Sequence, residues 1–115
     1  MHLSRNAEIV LGRYLLKDNE GKIIETPEKL FKRVAKNIAK EDSRYNSNKK
    51  EITKTEKEFF EAMTQFEFLP NLPTIANAGK KLQKLAACFV LNVPDRTEGI
   101  FEAVNQISLI QITVG

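Results

Sequence analysis

Along the chain, stretches in which apolar residues return every three or four positions alternate with stretches that carry none, and these changes of pattern mark its elements. Leu3, Ala7, Val10, Leu11, Tyr14 and Leu15 share one helical face, so a first helix is expected from Ser4. Lys17-Asp18-Asn19-Glu20-Gly21-Lys22 breaks that period as a turn with Gly21 free to take a positive φ. Tyr14 to Leu16 and Lys22 to Ile24 are expected to pair across it as a short hairpin. Thr26-Pro27-Glu28 opens a second helix, because the threonine oxygen can accept from an unpaired amide while proline takes the first position, where no amide is needed. Leu30, Phe31, Val34, Ala35, Ile38 and Ala39 form its apolar stripe.

Lys40 to Lys50 is almost wholly polar, with Asn46-Ser47-Asn48 at its centre, and reads as an exposed loop. A third helix is expected near Thr53 or Thr55, which have Glu56 and Glu58 three residues on as a capping box requires, and Phe59, Phe60, Met63 and Phe66 point inward from it. Pro70 and Pro73 are expected to end it, and an irregular loop follows through Asn77-Ala78-Gly79. Leu85 to Leu91 has no polar side chain, the pattern of a strand covered on both faces, with Cys88 at its centre. Asp95 and Glu98 are placed to cap a last helix bearing Ile100, Phe101, Val104, Ile107 and Leu109, and the apolar end from Ile110 to Val114 is unlike a free tail. The expected fold is mainly α: a small bundle of helices with a short β-hairpin and one isolated barrel-type strand.

Composition narrows the class. A chain of 115 residues supports one core, and 42% hydrophobic with 29% charged residues is the make-up of a folded globular domain. No apolar run reaches the roughly 20 residues that span a bilayer, and no secretory signal follows Met1, so no membrane partner and a cytoplasmic location are expected. The net charge of +3 arises from interleaved basic and acidic residues. Its densest basic stretch, Lys29, Lys32, Arg33, Lys36 and Lys40, reads as the solvated outer face of the second helix, and nucleic-acid binding is not expected.

Candidate chemistry is sparse. His2 is the one histidine, no His, Cys or acidic pair has metal-ligand spacing, and the five glycines are scattered rather than gathered in a phosphate loop. Cys88 is the one cysteine, so it cannot close a disulfide within the chain, and from spacing alone it reads as a small core residue. Thr74 has two readings, a phosphate contact or a cap for the turn after Pro73.

Three motifs change that weighing. Phe68-Leu69-Pro70-Asn71-Leu72-Pro73-Thr74-Ile75-Ala76-Asn77-Ala78-Gly79, Leu85-Ala86-Ala87-Cys88-Phe89-Val90-Leu91 and Glu98-Gly99-Ile100-Phe101-Glu102-Ala103-Val104 resemble, in this order, the N-terminal region of a ribonucleotide reductase large chain, closest to the adenosylcobalamin-dependent class. Arg13-Tyr14-Leu15-Leu16-Lys17-Asp18 and Glu25-Thr26-Pro27-Glu28-Lys29-Leu30-Phe31 resemble the helical region upstream of it. The resemblance implies a helical domain over residues 1–84 and, over 85–115, the first strand and helix of an α/β barrel. It implies that Cys88 is a redox cysteine, one half of the dithiol that reduces the ribose 2′ position, and that Thr74, Ala87 and Cys88 face the substrate. It implies adenosylcobalamin for the full-length family, with no cofactor expected in this chain.

Departures from the pattern matter too. Leu72 stands where the family carries a hydroxyl that holds substrate phosphates, Ala86 where a serine is common, and Val114 where a glycine begins a substrate loop. The loss at Leu72 counts against ribonucleotide binding. The expectation is a stand-alone or split N-terminal fragment related to ribonucleotide reductase, inactive alone because the second thiol is missing, with a barrel-bearing polypeptide as partner. The alternative is a non-catalytic helical binding or regulatory module that self-associates.

Overall fold

The computed structural model describes residues 1–45 and 48–112. It contains helices α1 (Arg5–Gly12), α2 (Pro27–Ala39), α3 (Lys49–Thr64), α4 (Leu72–Asn77) and α5 (Thr97–Ile112), with a 3-10 segment over Lys40–Tyr45. Start signals act as their chemistry requires. The Ser4 hydroxyl accepts from the Ala7 amide and the Thr26 hydroxyl from the Lys29 amide, each at 3.3 Å. The polar stretch after α2 is shorter as a loop than its composition suggested. The 3-10 segment continues α2, and α3 begins at Lys49 rather than near Thr53, because Asn48 and Glu51 form a complete capping box ahead of the expected one. Asn46 and Ser47 lie outside the described residues.

The core forms where α2 meets its neighbours. Leu30, Phe31, Val34 and Ala35 of α2 pack with Leu15, Met63, Ile75 and Ala78, while Phe60, Tyr14, Leu11 and Leu85 cover its edges. Phe59 and Phe66, expected inside, are 41% and 50% exposed. The helix does not wait for the prolines to end it. Phe66 takes a positive φ of 59°, its amide donates to the Met63 carbonyl and that of Glu67 to the Ala62 carbonyl, which closes α3 well before Pro70. Pro73 sits instead in the first turn of α4, a helix where an irregular loop was expected.

Both expected β features are absent. Between α1 and α2 the chain makes a single antiparallel bridge, Lys17 with Ile23, and no strands. Asp18 explains the limit: its Oδ1 accepts from the Glu20 and Lys22 amides, each at 2.9 Å, and pulls the turn tight. On the far side the Leu16 amide is taken by the Glu25 carboxylate, so it is not available for a second strand. The barrel-type strand is likewise not formed. Residues 85–91 have neither strand nor helix geometry, Val90 is 98% exposed and Cys88 is exposed. An apolar run becomes a strand only when another backbone completes its ladder, and among the described residues no backbone lies alongside to do so.

Helix α5 stands away from the core. Only Ala103 on it is buried, and Ile100, Phe101, Val104, Ile107, Leu109 and Ile112 are exposed. Its start differs as well: the Ile100 amide donates to the Arg96 carbonyl, so Arg96 rather than Asp95 occupies the cap position. The radius of gyration, 17.8 Å, exceeds the roughly 13 Å of a compact chain of this length, as a protruding helix requires. Gly99 lies against the Pro94 ring, where a Cβ would come within 2.8 Å, and Lys84 Nζ reaches the Ile110 carbonyl at 3.4 Å.

Candidate active site

A cleft of about 600 Å³ opens between Tyr14, the α4 residues Leu72, Pro73, Ala76 and Asn77, and the segment from Lys80 to Ala87. Its lining includes Lys80, Lys81 and Lys84 and no acidic side chain. Three side-chain hydrogen bonds hold the segment that forms its outer wall. Asn77 Nδ2 donates to the Lys84 carbonyl at 2.8 Å, the Thr74 hydroxyl lies 3.3 Å from the Leu85 carbonyl, and Gln83 Oε1 accepts from the Gly79 amide at 3.2 Å.

Of the three residues expected at the substrate, Ala87 lines this cleft. Thr74 does not. Its hydroxyl is 2.6 Å from Asn71 Oδ1, within the first turn of α4, and its other neighbours belong to a separate apolar hollow of about 330 Å³ between α2 and α3. That hydroxyl meets a side-chain oxygen and caps no backbone amide of α4. Cys88 follows Ala87 directly, is exposed, and lies outside the lining of both hollows. Leu72 is half exposed at the cleft wall, so the position that carries a hydroxyl in the resembled pattern offers a hydrocarbon surface.

Sequence reasoning missed a largely buried ion pair. Arg33, grouped with the solvated lysines of α2, is buried: its side chain is 11% exposed and pairs with Glu25, which is 5% exposed. Nε and Nη2 donate to the two carboxylate oxygens of Glu25 at 2.9 and 3.0 Å, while Nη1 donates to the Ala78 carbonyl. The spacing carried no signal of it. Arg33 falls on the polar side of α2 with Lys29, Lys36 and Lys40, and it is covered because Glu25 and the segment just past α4 close over that side. Lys80 lies beside this pair. Burial lowers its pKa below the ordinary 10.5, the nearby charges of Arg33 and Lys17 push the same way, and Glu25 opposes them.

Comparison with known proteins decides the family. Residues 3–83 match the family described as ribonucleotide reductase, all-alpha domain. The chain belongs to that family. It is 32% identical to a vitamin B12-dependent ribonucleoside-diphosphate reductase of Thermoplasma acidophilum, over all of this chain and 22% of that protein. It is 35% identical to a vitamin B12-dependent ribonucleoside-diphosphate reductase of Mycobacterium tuberculosis, over 96% of this chain and 16% of that protein. A ribonucleoside-diphosphate reductase subunit alpha of Helicobacter pylori is also 35% identical, over 85% of this chain and 12% of its own length. The ribonucleotide reductase chain described here thus spans between about an eighth and a fifth of these relatives. No helix among its described residues is long and apolar enough to cross a membrane.

Proposed function

We propose that this chain is the N-terminal part of a ribonucleotide reductase large chain, inactive by itself and completed by a polypeptide that carries the catalytic barrel. The observation that carries this reading is the exposed, single Cys88 beside a cleft whose lining is basic. Reducing a ribose 2′ carbon takes two electrons: the hydroxyl leaves as water while two thiols close to a disulfide. One thiol cannot supply both electrons, so the second sulfur lies outside these 115 residues and must approach Cys88 to within about 4 Å between Cβ atoms. An exposed Cys88 on an unpaired segment permits that approach.

The cleft residues have separate roles in this reading. Ala87 gives the ribose a small apolar wall, and Lys80 and Lys81 supply positive charge for the phosphates in place of the hydroxyl absent at Leu72. Thr74 acts behind the cleft by fixing the start of α4. Residues 1–84 act as the helical module, and the exposed apolar side chains of residues 85–112 are the surface that the partner covers. The work is proposed to take place in the cytoplasm, where a lone thiol stays reduced.

Adenosylcobalamin is the cofactor implied by the names of two relatives. Cobalamin carries its cobalt in its own corrin ring, and the radical chemistry it would supply belongs to the barrel of the full-length family.

The test mixes the chain with a separately produced barrel polypeptide bearing the remaining cysteines, a ribonucleoside diphosphate, adenosylcobalamin and a dithiol. Deoxyribonucleotide is expected from the mixture, none from the chain alone, and none from the mixture carrying Cys88→Ser. Turnover by the chain alone, or turnover indifferent to Cys88→Ser, refutes the reading. The exposed face of α5 also favours a second reading, a self-associating module without catalysis. Light scattering separates the two, since that module forms an oligomer whose size ignores both the barrel polypeptide and the nucleotide.

A further inference from the structure

The Arg33 guanidinium is mostly buried, and its three contacts reach two separate segments: two go to Glu25 and one to the Ala78 carbonyl. Glu25 is on the approach to α2, and its Oε2 also accepts from the Leu16 amide at 3.0 Å, next to Tyr14 on one cleft wall. The Ala78 carbonyl lies just past the end of α4, whose Asn77 and following Lys80 form the opposite wall. A buried ion pair adds little net stability compared with an apolar pair of the same volume, because desolvation offsets the attraction. What it does supply is direction: a planar fork with fixed donors admits only one arrangement of its acceptors.

We infer that the Glu25–Arg33 pair is the positioning device of the cleft, holding its two walls at a set separation and, through α4, placing the main chain that leads into Cys88. The transmission runs through contacts already described. Arg33 fixes Ala78, and α4 carries Asn77, whose Nδ2 holds the Lys84 carbonyl four residues before Cys88. Gly79 closes the arrangement by lying against the stem of Arg33, where a Cβ would stand 2.9 Å from Cγ. The importance given to Cys88 rests on the reductase reading; the coupling of Arg33 to that segment does not.

The test uses the single thiol as a reporter. A nitroxide is attached at Cys88 of the full chain, and its broadening of backbone amide signals is measured in Arg33→Lys, Glu25→Gln and the cap variant Asn48→Ala. Arg33→Lys keeps the charge but loses the fork, so broadening at Ala76 to Gly79 is expected to fall at least twofold. Glu25→Gln is expected to shift the Arg33 Nε–H resonance and to speed hydrogen exchange of the Leu16 amide by tenfold or more. Asn48→Ala destabilises the start of α3 without touching the relay, and its nitroxide pattern should match the parent. If Arg33→Lys does not fold, Glu25→Gln gives both readings. An unchanged pattern in the pair variants, or an equal change in Asn48→Ala, overturns the inference. Neither readout needs turnover, so a failed reductase assay leaves this result standing, and the reverse also holds.

Discussion

Replacing Gly79 with alanine probes the Arg33 arrangement from its apolar side. Gly79 has a φ of +78°, a region that costs an L side chain about 1–2 kcal/mol. Alanine returns about 0.4–1 kcal/mol by restricting the unfolded chain, so the backbone effect alone is roughly 1 kcal/mol. The contact adds to it. The new Cβ would lie 2.9 Å from Arg33 Cγ and 3.4 Å from Cδ, and that side chain cannot swing aside without releasing Glu25 or the Ala78 carbonyl. Weakening one such charge-assisted bond costs about 1.5–3 kcal/mol, which brings the expected loss to about 2.5–4 kcal/mol. Gly21→Ala is the matched control, since its φ is +83° and nothing lies within 4 Å of the added carbon. It should cost about 1 kcal/mol. In urea melts followed by circular dichroism, the midpoint should fall by roughly 1–2 M for Gly79→Ala and by about half as much or less for Gly21→Ala. In an Arg33→Ala background the excess should vanish. Equal losses at the two glycines, or an excess that survives removal of Arg33, would refute the reasoning.

Three further outcomes are expected. Phe66→Gly should leave stability nearly unchanged, because the roughly 1 kcal/mol that glycine releases at this positive φ offsets a similar loss from the half-buried ring, and a fall of more than about 2 kcal/mol would count against it. Asn48→Ala should cost about 1 kcal/mol and increase exchange at the Glu51 amide, which its side chain caps at 2.9 Å; an unchanged exchange rate would show that the box does not start α3. For Lys80 the sign follows from its lowered pKa: at alkaline pH the unfolded chain keeps more protons on this residue than the folded one. Its stability cost therefore fades as pH rises from neutral toward 10.5, and the parent should gain on Lys80→Met across that window in paired urea melts. A gap that stays constant would remove the burial account.

Local chemistry explains which parts of the fold could be read early. A hydroxyl three residues from an amide and a proline at a first helical position act within one turn of chain, so Ser4 and Thr26 mark the starts of α1 and α2 whatever surrounds them. The stripe of α2 works the same way, since period alone puts Leu30, Phe31, Val34 and Ala35 on one side. The start of α3 was misplaced because two overlapping cap signals compete and the earlier, Asn48 with Glu51, prevails. Its end was misplaced because Phe66 adopts a left-handed backbone, which no propensity predicts for an aromatic residue. Ala87 lies in the cleft lining; the burial of Arg33 was hidden by its place on the polar side of α2, and the Thr74 hydroxyl turns to Asn71 at the start of its own helix.

What the amino acids settled by themselves were the helical character of most of the chain and the starts of α1 and α2, which depend on neighbours a few residues away, and the family, which the order of the motifs carries. Only the tertiary arrangement decided that Glu25 and Arg33 meet, that Ala78 completes their bonding, and that residues 85–91 stay unpaired. The physical reason is the range of the interactions. An apolar run states that a segment is to be covered, but a β ladder or a buried ion pair exists only if distant backbone or charge arrives beside it, and that depends on the whole packing.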